Sequence, residues 1–203
     1  MERRYLKRFS RTERAVHWIH ASAFLLLLGT GAVLYVPALS QAVSNRPLVR
    51  DIHLWTSAAW VGALLLVVVL GDRRGLRHTA RELERFDEDD RRWLRGRGAP
   101  QGRFNAGQKL NAAVTAAFAL LLAVSGLLLW LGERFASFRI PGAIVVHDWV
   151  TYLSLAVLAG HLYFAVIHPA TRHALRGITV GTVREDWARR HHPKWVDGAG
   201  DGP

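Results

Sequence analysis

Four stretches of this chain are long and apolar enough to cross a lipid bilayer, and no other feature constrains its fold as strongly. A helix rises about 1.5 Å per residue, so roughly 20 apolar residues span the hydrocarbon. The runs fall near residues 15–36, 52–70, 110–131 and 143–167. The first follows basic residues, as a secretion signal does. Its apolar run exceeds the roughly 7 to 15 residues of a cleaved signal, so it reads as a span. The expected fold is all-α: an integral membrane four-helix bundle forming a single domain over residues 1–203, with a loop at 71–109 and a tail at 169–203.

Charge supplies the orientation. Lys and Arg number 27 against 16 Asp and Glu, a formal charge of +11. Such an excess would suit nucleic acid if it lay on one folded face. Here the positive residues lie between apolar runs, so the expected partner is the lipid bilayer and not nucleic acid. They crowd into residues 1–14, 72–109 and 169–203, leaving only Arg46, Arg50, Arg134 and Arg139 for the two short loops. The positive-inside rule then puts both termini and the middle loop in the cytoplasm. Within that loop, RELERFDEDDRRWLRGRG reads as a solvated surface helix and turn. No internal repeat is evident in the sequence. Cysteine is absent, which excludes disulfides, iron–sulfur ligation, covalent haem attachment and thiol catalysis by this chain alone.

Five of the ten histidines, His17, His20, His53, His147 and His161, lie within or at the edges of the spans. Ionisable residues are costly in a membrane and commonly mark cofactors, ion paths or proton relays. With both termini inside, His17, His20 and His161 lie toward the cytoplasmic surface, and His53 and His147 toward the opposite one. His147 and His161 are 14 positions apart, about 40° short of four full turns, so they share a helix face about 21 Å apart along the axis. That spacing accommodates two stacked haem groups, whose iron takes axial imidazoles. One haem would use His53 with His147, the other His17 or His20 with His161. Zinc would need three or four ligands at one depth, which two axially separated pairs do not offer. Two axial imidazoles leave no open position on iron, which points to electron transfer. A histidine relay in a transporter or proton channel is the competing reading from another class.

Other residues receive structural readings. Gly29, Gly31, Gly62, Ser125, Gly126 and Gly160 permit close packing within the spans. Trp18, Trp55, Trp60, Trp130 and Trp149 read as an interfacial belt. His78, His173, His191 and His192 read as surface residues, and His168, before Pro169, as the end of the fourth span.

The segments RFSRTERAVHWIHASAFLLLLGTG, RDIHLW, GRFNAGQKLN, SGLLLW and WARRHHPKW, with the His147 to His161 spacing, resemble the cytochrome b (gamma) subunit of membrane-bound respiratory formate dehydrogenases. GRFNAGQK is the most specific piece. The resemblance implies two b haems, with His53 and His147 on the periplasmic one and His17 and His161 on the cytoplasmic one, leaving His20 as the alternative to His17. It implies a quinone, menaquinone or ubiquinone, beside the cytoplasmic haem at His161, Asn105 and Gly107, with Gln108 as a neighbour. Asn105 could donate through its amide and Gly107 admit a close approach, although both could equally serve the turn that begins the third span. The implied partners are an iron–sulfur subunit and a molybdenum- or tungsten-containing catalytic subunit, with no formate site here. The implied place is the bacterial cytoplasmic (inner) membrane. Related cytochrome b anchors serve hydrogenases, thiosulfate reductases and other periplasmic oxidoreductases.

Overall fold

The computed structural model describes residues 4–199; residues 1–3 at the head of the expected N-terminal segment and 200–203 at the end of the expected tail lie outside the described residues. Among the described residues, four helices are long and apolar enough to cross a membrane. The chain divides into two compact units, Ser10–Arg77 and the remainder.

The first unit is a helical hairpin of α1 (Arg11–Tyr35) and α3 (Arg46–Leu70), joined through the short α2 (Pro37–Ala42). Its boundaries are written in capping chemistry. Ser10 accepts from the Glu13 amide at 3.2 Å, and the Glu13 carboxylate accepts from the Ser10 amide at 2.6 Å, which satisfies two orphan donors of the first turn. Pro37 forces Val36 into an extended conformation and ends α1. Asn45 caps α3 by accepting from the Leu48 amide at 3.0 Å, and Pro47 sits in the first turn, where its missing N–H costs nothing. The antiparallel pair closes where Thr12 accepts from the Asp72 amide at 3.1 Å. A Cβ on Gly71 would collide there with the Thr12 side chain and the Val67 carbonyl, so this turn needs glycine.

The second unit contains another antiparallel hairpin, α6 (Ala106–Gly132) and α7 (Gly142–Leu162), whose last turn widens into a π-helical segment at Tyr163–Ile167. His168 ends the segment, extended before Pro169, with its amide bonded to the Tyr163 carbonyl at 2.9 Å. Asn105 and Gln108 form the capping box that starts α6.

A polar cap covers the Asn105 end of this hairpin. Helix α4 (Arg73–Glu84) leads to α5 (Glu88–Leu94). The loop run expected to be solvated is partly buried: Asp90 of α5 is 2% exposed and pairs with Lys109 of α6 at 2.5 Å. Strand β1 (Tyr5–Lys7) pairs antiparallel with β2 (Thr182–Arg184), Leu6 opposite Val183, after α8 (Leu175–Val180) ends on Gly181 at φ 95°. Glycine occupies that left-handed position without steric penalty. Helices α9 (Glu185–His191) and α10 (Pro193–Ala199) complete the cap around Val183, Trp187, Ala188 and Val196. Lys194 of α10 bonds Asp87 at 2.8 Å, tying the tail to the middle loop.

On the spans, side chains such as Leu65, Leu66, Leu70 and Leu120 are at least 60% exposed. An apolar surface of this kind is what a bilayer covers.

Candidate functional site

In the first hairpin, buried Thr30 of α1 backs His53 of α3. The Thr30 hydroxyl donates to the Leu26 carbonyl at 2.8 Å and lies 2.8 Å from His53 Nδ1. Next to it, a methyl placed on Gly31 would rest 3.5 Å from His53 Cε1. One turn further along α3, Ser57 donates to the His53 carbonyl at 2.9 Å.

The second hairpin repeats this arrangement residue type for residue type. Buried Ser125 of α6 donates to the Leu121 carbonyl at 2.6 Å and lies 3.0 Å from His147 Nδ1. A methyl on Gly126 would rest 3.4 Å from His147 Cε1, and Thr151 donates to the His147 carbonyl at 2.8 Å. Both histidines are half-buried. Each ring is held at its Nδ1 edge by a hydroxyl. Sequence reading missed this repeat because the two halves share residue types rather than identities. Ser125 had been read only as a small packing residue, and Thr30 had no role. A hydroxyl–glycine pair followed 22 or 23 positions later by histidine was the available signal.

The remaining histidines are less alike. His17 and His20 lie in the early turns of α1. His17 meets Trp18 edge-on at 5.1 Å, whereas the His20 ring packs on Phe24 at 6.0 Å and on Trp60 at 5.5 Å. Trp60 therefore stands in the middle of α3 against a ring of its own hairpin, away from the interfacial position expected for it. His161, exposed, occupies the end of regular α7 just before the π-helical turn. Single π turns of this kind recur at functional sites. Among the described residues, no three His, Asp or Glu side chains gather as a bare metal ion requires; haem iron asks for two axial donors.

Asn105, Gly107 and Gln108 share the His161 end of the α6–α7 hairpin. Asn105 Oδ1 accepts from the Gln108 amide at 2.8 Å, and Gln108 Oε1 accepts from the Asn105 amide at 3.1 Å and from Arg8 at 3.2 Å. The close approach that Gly107 permits is occupied by Trp93 of α5: an added Cβ would lie 3.2 Å from its ring. The capping role foreseen for Asn105 is thus present.

His192 corrects an expectation. Read as a surface residue, it is 1% exposed, and its partners explain why. Its Nδ1 donates to the Gly102 carbonyl at 2.7 Å, so Nε2 accepts from Arg8 at 3.2 Å. Neighbouring His191 is half-buried and stacks on Trp187 at 4.9 Å between ring centroids. Arg8, also buried, donates to the Arg103 carbonyl at 2.7 Å. Burial and the neighbouring Arg103 lower the Arg8 pKa to about 9, which leaves it charged at neutral pH.

Burial, with the Arg8 charge beside it, lowers His192 from its ordinary 6.5 to about 3. A lowered folded-state pKa means that its contribution to stability is complete above pH 6.5 and is lost as pH falls toward 3. Thermal unfolding of the detergent-solubilised protein should therefore shift to lower temperature across that window. His192→Gln, which can keep both hydrogen bonds without titrating, should flatten the dependence. An equally steep dependence in His192→Gln would remove His192 as its source.

Comparison with known proteins adds three findings. Residues 8–181 match the family model described as prokaryotic cytochrome b561. The chain is 26% identical over 202 residues to the formate dehydrogenase cytochrome b556(fdo) subunit of Escherichia coli K12, covering 93% of this chain and 90% of that protein. It is 25% identical over 198 residues to the formate dehydrogenase cytochrome b556 subunit of Haemophilus influenzae, covering 90% and 78%.

Proposed function

This chain belongs to the prokaryotic cytochrome b561 family, and from that premise we propose that it is the dihaem cytochrome b subunit of a respiratory formate dehydrogenase, passing electrons from an iron–sulfur subunit to quinone. The observation that carries the reading is the matched pair of half-buried imidazoles, His53 and His147, each held at Nδ1 by a hydroxyl. That donor set fits haem iron. Bound haem supplies reversible one-electron chemistry.

In this reading His53 and His147 ligate the periplasmic haem. His17 and His161 ligate the cytoplasmic one. The packing of His20 against Phe24 and Trp60 within its own hairpin favours His17 over it. Menaquinone or ubiquinone binds near His161, Asn105, Gly107 and Gln108. Because Asn105 commits its Oδ1 and its backbone N–H to the helix cap, its side-chain Nδ2 is the group that donates to a quinone oxygen. Both termini face the cytoplasm, following the Lys and Arg distribution, and the chain resides in the bacterial inner membrane. Formate chemistry belongs to a separate molybdenum- or tungsten-containing subunit. The names of the similar E. coli and H. influenzae proteins support this choice of complex.

Purification from membranes under mild conditions tests the assignment. A molybdenum or tungsten enzyme and an iron–sulfur protein should copurify, and a soluble quinone analogue should reoxidise the dithionite-reduced cytochrome. Copurification of a nickel–iron enzyme instead, or reduced cytochrome indifferent to quinone, contradicts it.

A further inference from the structure

The two hydroxyls behind His53 and His147 do more than pack. Thr30 is 9% exposed and Ser125 is 3% exposed. Each lies inside an apolar span, where water is not at hand to complete a hydrogen bond. A hydroxyl has one hydrogen to give. Thr30 points its own toward the Leu26 carbonyl at 2.8 Å, with the Leu27 carbonyl at 3.1 Å. Ser125 does the same toward Leu121 at 2.6 Å, with Leu122 at 3.3 Å. The contact of each oxygen with an imidazole is then satisfied when the ring nitrogen donates, so Nδ1 carries the proton and Nε2 keeps its lone pair.

We infer that Thr30 and Ser125 are matched positioning residues, which hold His53 and His147 in the Nδ1–H tautomer and tune the haem that both ligate. This rests on the ligand assignment above. An acceptor behind Nδ1–H increases the electron donation of Nε2 to iron and favours the oxidised metal. Removing the hydroxyl acceptor weakens that donation and raises the reduction potential, at His147 only in part because its ring also bonds the Leu122 backbone. Because the two hydroxyls back two ligands of one haem, either substitution moves the same component of a redox titration, and the other component stays where it was.

The test uses the intact complex with Thr30→Val, which keeps the shape and loses the acceptor, and Ser125→Ala. Thr30→Ser and Ser125→Thr serve as the conservative restorations. Potentiometric titration of the b-type absorbance and the ferric low-spin resonance spectrum are the readouts. The expected result is an upward shift of one and the same component in Thr30→Val and Ser125→Ala, with parental potentials in Thr30→Ser and Ser125→Thr. Loss of that haem in Thr30→Val with retention in Thr30→Ser also supports the role. Two haems whose potentials ignore both substitutions overturn it, as do shifts in two different components. A parental complex without haem defeats the ligand assignment itself and is recognised before any variant is made.

Discussion

Replacing His53 or His147 with alanine should leave the purified chain with one b haem in place of two, and replacing His17 or His161 should remove the other and abolish quinone reduction. An axial imidazole is a bond to the metal, and alanine offers no substitute donor. The pairs are separable because His147 and His161 stand near opposite ends of α7. Loss of His53 should therefore spare the haem near His161. His20→Ala should retain both haems, because its ring is occupied by Phe24 and Trp60. Pyridine haemochrome quantification on each variant distinguishes the outcomes. If His20→Ala loses a haem and His17→Ala keeps both, the ligand on α1 is the wrong one of the two.

The second large effect lies in the polar cap. Asp90 and Lys109 form an ion pair whose side chains are 3% and 11% exposed. Lys109 also donates to the Arg85 carbonyl at 2.8 Å and lies 5.6 Å from the centre of the Phe86 ring. Asp90→Asn removes the countercharge that the buried ammonium touches. Breaking a buried pair from one side costs about 3–5 kcal/mol. Chemical denaturation of the solubilised protein should show the loss. The double variant Asp90→Leu, Lys109→Met should recover part of it, because it removes the desolvated charge but also the Asp90 oxygen that accepts from the Asp87 amide. A change within about 0.5 kcal/mol for Asp90→Asn would be the behaviour of an exposed position and would contradict the burial of this pair.

The spans were legible because about 20 apolar residues in a row have few other uses. Their beginnings were less so. Helix α3 starts at Arg46 and α6 at Ala106, each four to six residues before its apolar run. Those first turns are polar, and their starts are set by the side chains of Asn45 and Asn105, which hydropathy does not weigh. The β1–β2 ribbon was invisible for a different reason: its strands are three residues long, and Leu6 finds Val183 across most of the chain. His192 was misread because its immediate neighbours are polar. Its burial is decided by Arg8 and Gly102, both remote in sequence. Among the candidate ligands, the placement of His147 and His161 toward opposite ends of one helix was readable from their spacing. The hydroxyls of Thr30 and Ser125 were not, because their role exists only where two antiparallel helices meet.

In the proposed reading, imidazoles of this chain grip iron porphyrin at two levels. Iron porphyrin per polypeptide, measured on the intact complex by pyridine haemochrome against amino-acid analysis, tests it most directly. Two b haems per chain is the expected value; a folded, complete complex with none bound to this polypeptide contradicts it.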